Sequence, residues 1–182
     1  MTKGVLLFAS NNKSIDYVKQ AIFLAKRIRK YMDLPTSIVT DTDIENMYPN
    51  DTDVFDYVIH SNDMAKNSTN RYADGDFSDK TLKFNNKNRS MAYDLTPYDS
   101  TIVMDTDYII SNNILNNCFA QQKDLLLYKD ATHIGIHKIV PEFEKVSDTS
   151  VDFYWATVFF FRKTEENKIV FNLISHIEEN YI

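Results

Sequence analysis

Four Asp-Xaa-Asp triplets punctuate the 182 residues: Asp41-Thr-Asp43, Asp51-Thr-Asp53, Asp74-Gly-Asp76 and Asp105-Thr-Asp107. Two carboxylates held close together repel each other, and a bound cation removes that repulsion while bridging to phosphate oxygens. An all-oxygen site of this kind suits Mg²⁺ or Mn²⁺. Spacing alone does not choose among the four, because in an acidic chain most such pairs are solvated turns. The residues before them do. Asp51 and Asp74 sit among Asn, Thr and Gly, with no apolar run delivering them. Asp105 ends the run Ser100-Thr-Ile-Val-Met104, and apolar residues resume after Asp107. Asp105 and Asp107 are therefore the expected metal and diphosphate site, against the plainer reading of a capping or turn-forming pair. Asp41-Thr42-Asp43 also follows an apolar run, and a cap on the next element is the expected role there.

The histidines offer less. His133 and His137 flank Ile134-Gly-Ile136, and a strand or a helix would bring them to one face. His60 and His176 read as structural or exposed, and no tetrahedral zinc set is present.

The elements that must position these residues alternate. Gly4–Ser10 reads as a buried strand. Ile15, Val18, Ile22, Ala25 and Ile28 recur at helical steps, with Ser14 as the expected N-cap and Pro35 barring continuation. Thr36–Thr40 and Phe55–His60 read as further strands, and the strand-helix-strand spacing implies a parallel crossover. Residues 61–80 are rich in Asn, Asp and Ser and read as loop, and Thr81–Leu95 as a helix. Ser100–Met104 is a buried strand, Ile109-Ile110 a brief edge strand, Asn113–Ala120 a short helix and Leu125–Tyr128 a strand. Phe153–Phe161 is an aromatic central strand. Ile169, Leu173, Ile177 and Tyr181 place a helix over Thr164–Tyr181. Such alternation describes one three-layer α/β domain over residues 1–182, with its active site at the carboxyl ends of the strands.

Composition narrows the class. The net charge of -6 offers no broadly basic face for nucleic acid. The single cysteine, Cys118, excludes a disulfide within the chain and suits a reducing cytosol. The amino-terminal apolar run is too short for a signal peptide or a membrane span. A soluble cytoplasmic protein is expected.

The segment Leu95-Thr-Pro-Tyr-Asp-Ser-Thr-Ile-Val-Met-Asp-Thr-Asp-Tyr-Ile-Ile-Ser-Asn112 resembles the metal-binding segment of glycogenin-like glycosyltransferases, family eight of the GT-A fold. Ala9-Ser-Asn-Asn12 with Tyr17-Val-Lys-Gln-Ala21 is similar to that family's opening strand and first helix. Tyr154–Phe161 falls where the family has its next central strand. The resemblance implies a three-layer, Rossmann-like GT-A domain with a mostly parallel sheet. It implies a nucleotide-diphosphate sugar donor, usually a uridine diphosphate sugar, and Mn²⁺ or Mg²⁺ at Asp105 and Asp107. Donor contacts are implied for Ala9, Ser10 and Asn11, for the Asp105-Thr106-Asp107 turn, and for a basic residue before it. That residue falls on Arg89, with Lys83 and Lys87 as neighbours able to substitute. Tyr17 is a candidate to stack on the base or to pack in the core.

Two departures follow. Trp155-Ala156-Thr157 stands where the family has a small polar turn, so Trp155 either walls the sugar pocket or belongs to the core. The family also continues beyond the last helix, where it supplies a further metal ligand, so the chain reads as a cut or shortened member. Resemblance to the family favours retention of configuration. Inversion requires a carboxylate base, for which Asp148 and Asp152 are the candidates. Two other readings stand beside transfer: a module that binds sugar nucleotides without turnover, and a haloacid-dehalogenase-like phosphatase. The acceptor is not legible in the residues.

Overall fold

The computed structural model describes residues 1–61, 68–73, 79–84, 87–129, 132–133, 138–139 and 154–180. Its centre is a six-stranded sheet. The strands are β1 (Lys3–Phe8), β2 (Thr36–Thr40), β3 (Tyr57–His60), β6 (Ser100–Met104), β7 (Leu125–Tyr128) and β10 (Trp155–Arg162). They lie in the order β3-β2-β1-β6-β10-β7. β1 pairs in parallel with β2 and β6, and β2 in parallel with β3. β10 runs antiparallel to β6 and β7. The start of β10 therefore meets the carboxyl end of β6, where Asp105 N–H donates to Thr157 C=O at 2.9 Å.

Every residue of β2 and β6 is buried, which matches continuous apolar or small side chains on strands covered on both faces. On one face, Val5, Leu7, Ile38, Ile102, Met104 and Phe160 pack against helix α1 (Tyr17–Met32) and the 3-10 segment Ile114–Ala120. On the other, Leu6, Val39, Val103, Phe159 and Phe161 meet α3 (Ala92–Leu95) and α4 (Glu165–Asn180). The expected three layers are present.

The crossover helix α1 buries Val18, Ile22, Ala25 and Ile28 as the periodicity requires, while Ile15 stays outside the helix and exposed. Its N-cap is Asp16, not Ser14: the Asp16 carboxylate accepts from Lys19 N–H at 2.8 Å. Helix α1 ends on Asp33 in the left-handed region (φ 53°), a conformation that Asp tolerates. α4 also forms, but Ile169, Leu173 and Ile177 face outward. Its inner face is carried by Asn167 and Phe171, the latter ring 4.8 Å from that of Phe161.

Three further expectations change. Ser68–Ala73 (β4) and Asp79–Phe84 (β5) form an antiparallel hairpin where loop and helix were expected. Both segments are rich in polar residues, so no continuous apolar run marks them as strands in the sequence. The helix expected over Thr81–Leu95 shrinks to a 3-10 turn, Lys87–Met91, followed by α3. Ile109-Ile110 forms no strand; Ile110 is buried and Arg27 Nε donates to its carbonyl at 2.5 Å. Two short strands, β8 (Thr132–His133) and β9 (Lys138–Ile139), pair apart from the main sheet. No helix among the described residues is long and apolar enough to cross a membrane.

Candidate functional site

The carboxyl ends of β1, β2 and β6 and the start of β10 share one edge of the sheet. Active sites of open α/β sheets form at such an edge, where strand order reverses. The four segments supply Ala9-Ser10-Asn11, Asp41-Thr42-Asp43, Asp105-Thr106-Asp107 and Trp155-Ala156-Thr157.

The turn after β6 is held from several sides. Tyr108 N–H donates to Asp105 C=O at 3.4 Å, closing the turn. Thr106 is buried beneath it and donates from its hydroxyl to Gln20 Oε1 of α1 at 3.4 Å. The hydroxyls of Tyr108 and Thr157 hydrogen-bond at 2.8 Å, tying the turn to β10. Arg27 fastens the next stretch to α1 through the Ile110 carbonyl. Both aspartates are thus mounted on a braced turn.

Their surroundings differ. Asp107 is exposed, has no ion pair among the described residues, and lines a groove of about 400 Å³ with Lys19, Gln20, Phe23 and Ile109. Asp105 is half-buried and ion-paired with Arg89. Arg89 rises from the 3-10 turn Lys87–Met91 and also donates to the Ala156 carbonyl at the start of β10. Burial pushes the Arg89 guanidinium below the usual arginine value, opposed by the charges of Asp107 and Tyr108. An arginine remains protonated under such a shift. The Arg89 guanidinium thus lies beside the turn after β6 and already has an anionic partner in Asp105.

The other candidates divide. Ala9 is buried, and its N–H is taken by Val39 C=O at 3.0 Å. The Ser10 hydroxyl donates to Asp41 at 2.7 Å, joining the ends of β1 and β2. Asn11 Oδ1 accepts from Val18 N–H at 2.9 Å, and its Nδ2 donates to the Tyr48 hydroxyl at 3.2 Å. Tyr48 in turn donates to Asp16 at 2.7 Å. Asn11 is therefore engaged in bracing the start of α1. The Tyr17 ring packs against the core cluster around α1. Asp43 caps the short helix α2 (Ile44–Met47), as expected, and hydrogen bonds from the Asn46 side chain and backbone hold its carboxyl below the ordinary range. Asp51 pairs with Lys26. Trp155 opens β10 opposite Tyr128, and the β7 pairing shifts register between Trp155 and Phe159. Asp148, Asp152, Asp74, Asp76 and His137 lie outside the described residues. His60 ends β3 and is exposed, as is His176 on α4. Residues that the sequence did not single out include Tyr48, Tyr108, Lys19 and Phe23. Only the aromatic placed directly after Asp107 gave a signal.

Among the described residues, no group of three or more His, Cys, Asp or Glu comes together to hold a metal. Two carboxylates on one turn nevertheless fit a hard cation of the Mg²⁺ type, which retains waters and shares its sphere with substrate phosphates.

The β-α-β opening, this strand order and the antiparallel β10 make a mixed α/β fold whose structural neighbours are GT-A glycosyltransferases. No protein-family profile matches the chain, and no curated protein does. Solved structures do. The galactosyltransferase LgtC, in complex with donor and acceptor sugar analogs, superposes with a TM-score of 0.60 at 11% identity, covering 98% of this chain. The glycosyltransferase GlyE of Streptococcus pneumoniae gives 0.54 at 12% identity over 99% of this chain. TarS of S. aureus, in complex with UDP-GlcNAc, gives 0.51 at 15% over 98%. The chain spans 64%, 40% and 54% of those three structures. At these identities the likeness is one of fold.

Proposed function

We propose that this chain binds a nucleotide-diphosphate sugar, a uridine diphosphate sugar by preference, at the edge formed by Ser10, Asp41, Asp105 and Asp107, and that it serves transfer of the sugar to an acceptor hydroxyl. The observation that carries the proposal is the braced turn after β6, which presents Asp107, exposed and without an ion pair among the described residues, beside Asp105 at the sheet edge. LgtC and TarS, whose structures hold donor analogs or UDP-GlcNAc, share that fold. The resemblance of Leu95–Asn112 to glycogenin-like enzymes points to family eight within the fold, and to retention.

Asp105 and Asp107 are the residues that would hold Mn²⁺ or Mg²⁺. A cation held there would supply electrostatic stabilisation of the negative charge on a departing nucleoside diphosphate. The protein's own groups do the rest. Ser10 and Asp41 offer polar atoms where the nucleoside lies across the ends of β1 and β2. Thr106 and Tyr108 keep the carboxylates from turning away. Arg89 offers a guanidinium that matches carboxylate and phosphate geometry alike.

The test is a thermal-shift screen of nucleotide sugars with and without Mn²⁺, run beside a donor-hydrolysis assay. A ligand at one hundred times its Kd stabilises by about 2.7 kcal/mol. In a chain of this size that raises Tm by roughly 5–10 °C. Metal-dependent stabilisation with slow hydrolysis supports transfer. Stabilisation without hydrolysis leaves binding alone. Absence of any shift across the panel refutes the proposal, and release of phosphate from a simple ester would place the chain with phosphatases.

A further inference from the structure

Asp105 and Asp107 share one turn but not one environment. The Arg89 side chain is 13% exposed and that of Asp105 24%, so their contact lies largely out of water. Within such surroundings charges attract strongly, and a partner left alone is strongly disfavoured. The guanidinium covers the carboxylate that a divalent cation needs, and its positive charge repels that cation. The turn that carries it is tied to α4, where the neighbouring Ser90 Oγ donates to Glu178 at 2.6 Å, while Nη1 of Arg89 itself reaches the Ala156 carbonyl. Exchange of partners thus requires the long side chain to swing and to give up its bond to the Ala156 carbonyl. A diphosphate at this edge offers that side chain a second anion of the same fork geometry.

We propose that Arg89 is an internal counter-cation of Asp105, competing with a divalent cation for that carboxylate and yielding it when a diphosphate arrives. Arg89 is then a positioning residue that makes cation binding depend on the donor. The inference rests on the assignment of Asp105 and Asp107 as the cation site. A purely structural Arg89 would behave differently, because its removal would loosen the turn and weaken the site for every ligand.

The experiment follows free Mn²⁺ by electron paramagnetic resonance in titrations of the full chain, without nucleotide and with UDP. Arg89→Gln is expected to bind Mn²⁺ alone about tenfold more tightly than the unsubstituted protein, within the usual range of coupling between sites. UDP should raise Mn²⁺ affinity strongly in the unsubstituted chain and much less in Arg89→Gln. Arg89→Lys, which retains a cation but loses the fork, should fall between. If circular dichroism shows Arg89→Gln unfolded, Arg89→Lys decides by the same criterion. Suppose Mn²⁺ binds with UDP and is lost in Asp107→Asn, yet neither Arg89 variant binds Mn²⁺ alone more tightly. Competition is then overturned while the cation site stands. If Mn²⁺ binds under no condition, or Asp107→Asn binds it unchanged, the cation site fails and the inference fails with it.

Discussion

Asp105→Asn and Asp107→Asn are chemically the same substitution two residues apart, and the structure separates their effects on stability without any ligand. Asp105 faces the Arg89 guanidinium in a contact that keeps little water. Removing one partner of a fully buried ion pair costs about 3–5 kcal/mol, chiefly because the other charge is stranded. Asp105 retains 24% exposure and Arg89 13%, and an amide oxygen still accepts a hydrogen bond from the guanidinium. The expected loss is accordingly smaller, about 2 kcal/mol. The Coulomb ceiling is consistent: unit charges ~4 Å apart at an effective dielectric of ~20 attract by about 4 kcal/mol. For a domain of this size, about 2 kcal/mol lowers Tm by roughly 4–8 °C. Asp107 is exposed with no ion pair among the described residues, so its substitution stays within about 0.5 kcal/mol. Thermal denaturation by circular dichroism in the presence of EDTA measures both. Equal shifts in the two variants, or none in Asp105→Asn, would refute the asymmetry and with it the energetic weight given to the Arg89 contact.

Three other expectations concern the frame that holds the site. A Cβ at Gly4 would lie 2.3 Å from the buried Tyr98 ring, so Gly4→Ala must displace an aromatic and should destabilise by about 1–3 kcal/mol in urea denaturation. Burial raises the Tyr98 hydroxyl pKa from 10.0 to about 12, with the Ser37 hydroxyl pulling the other way. The folded pKa lies above the unfolded one, so this stability is intact below pH 10 and is lost as pH rises toward about 12; Tyr98→Phe should flatten that alkaline decline in pH-dependent melting. Buried Asn167 donates from Nδ2 to the carbonyls of Asp124 and Arg162 at 2.8 and 2.9 Å, so Asn167→Ala should destabilise by about 1–3 kcal/mol in the same denaturation assay, and an unchanged midpoint would argue against those bonds.

Strong local periodicity survived folding. The β1, β2 and β6 runs and the α1 stripe were legible because burial on both faces, or on one helical face, writes its period directly into neighbouring residues. The Asp105 turn was legible for the same reason: an apolar strand leads straight into it. Elements held by distant partners were not. β4 and β5 carry mostly polar residues, so no apolar run in either marks it as a strand, and their pairing with each other appears only in the fold. Ser14 and Asp16 are both competent caps, and Asp16 holds the place where Tyr48 and Asn11 converge on it. Ile169, Leu173 and Ile177 spell a helix but not which side faces inward; the packing of the Phe171 ring against those of Phe161 and Tyr93 settled that.

The chain alone determined the order of its elements and the carboxylates that close its central strand, because both depend on neighbours within a few residues. Which carboxylate stands open and which is held by Arg89 was decided by the tertiary structure. Charges sixteen residues apart meet only after the sheet has placed the ends of β6 and β10 beside the Lys87–Met91 turn, and their attraction depends on water that folding removes.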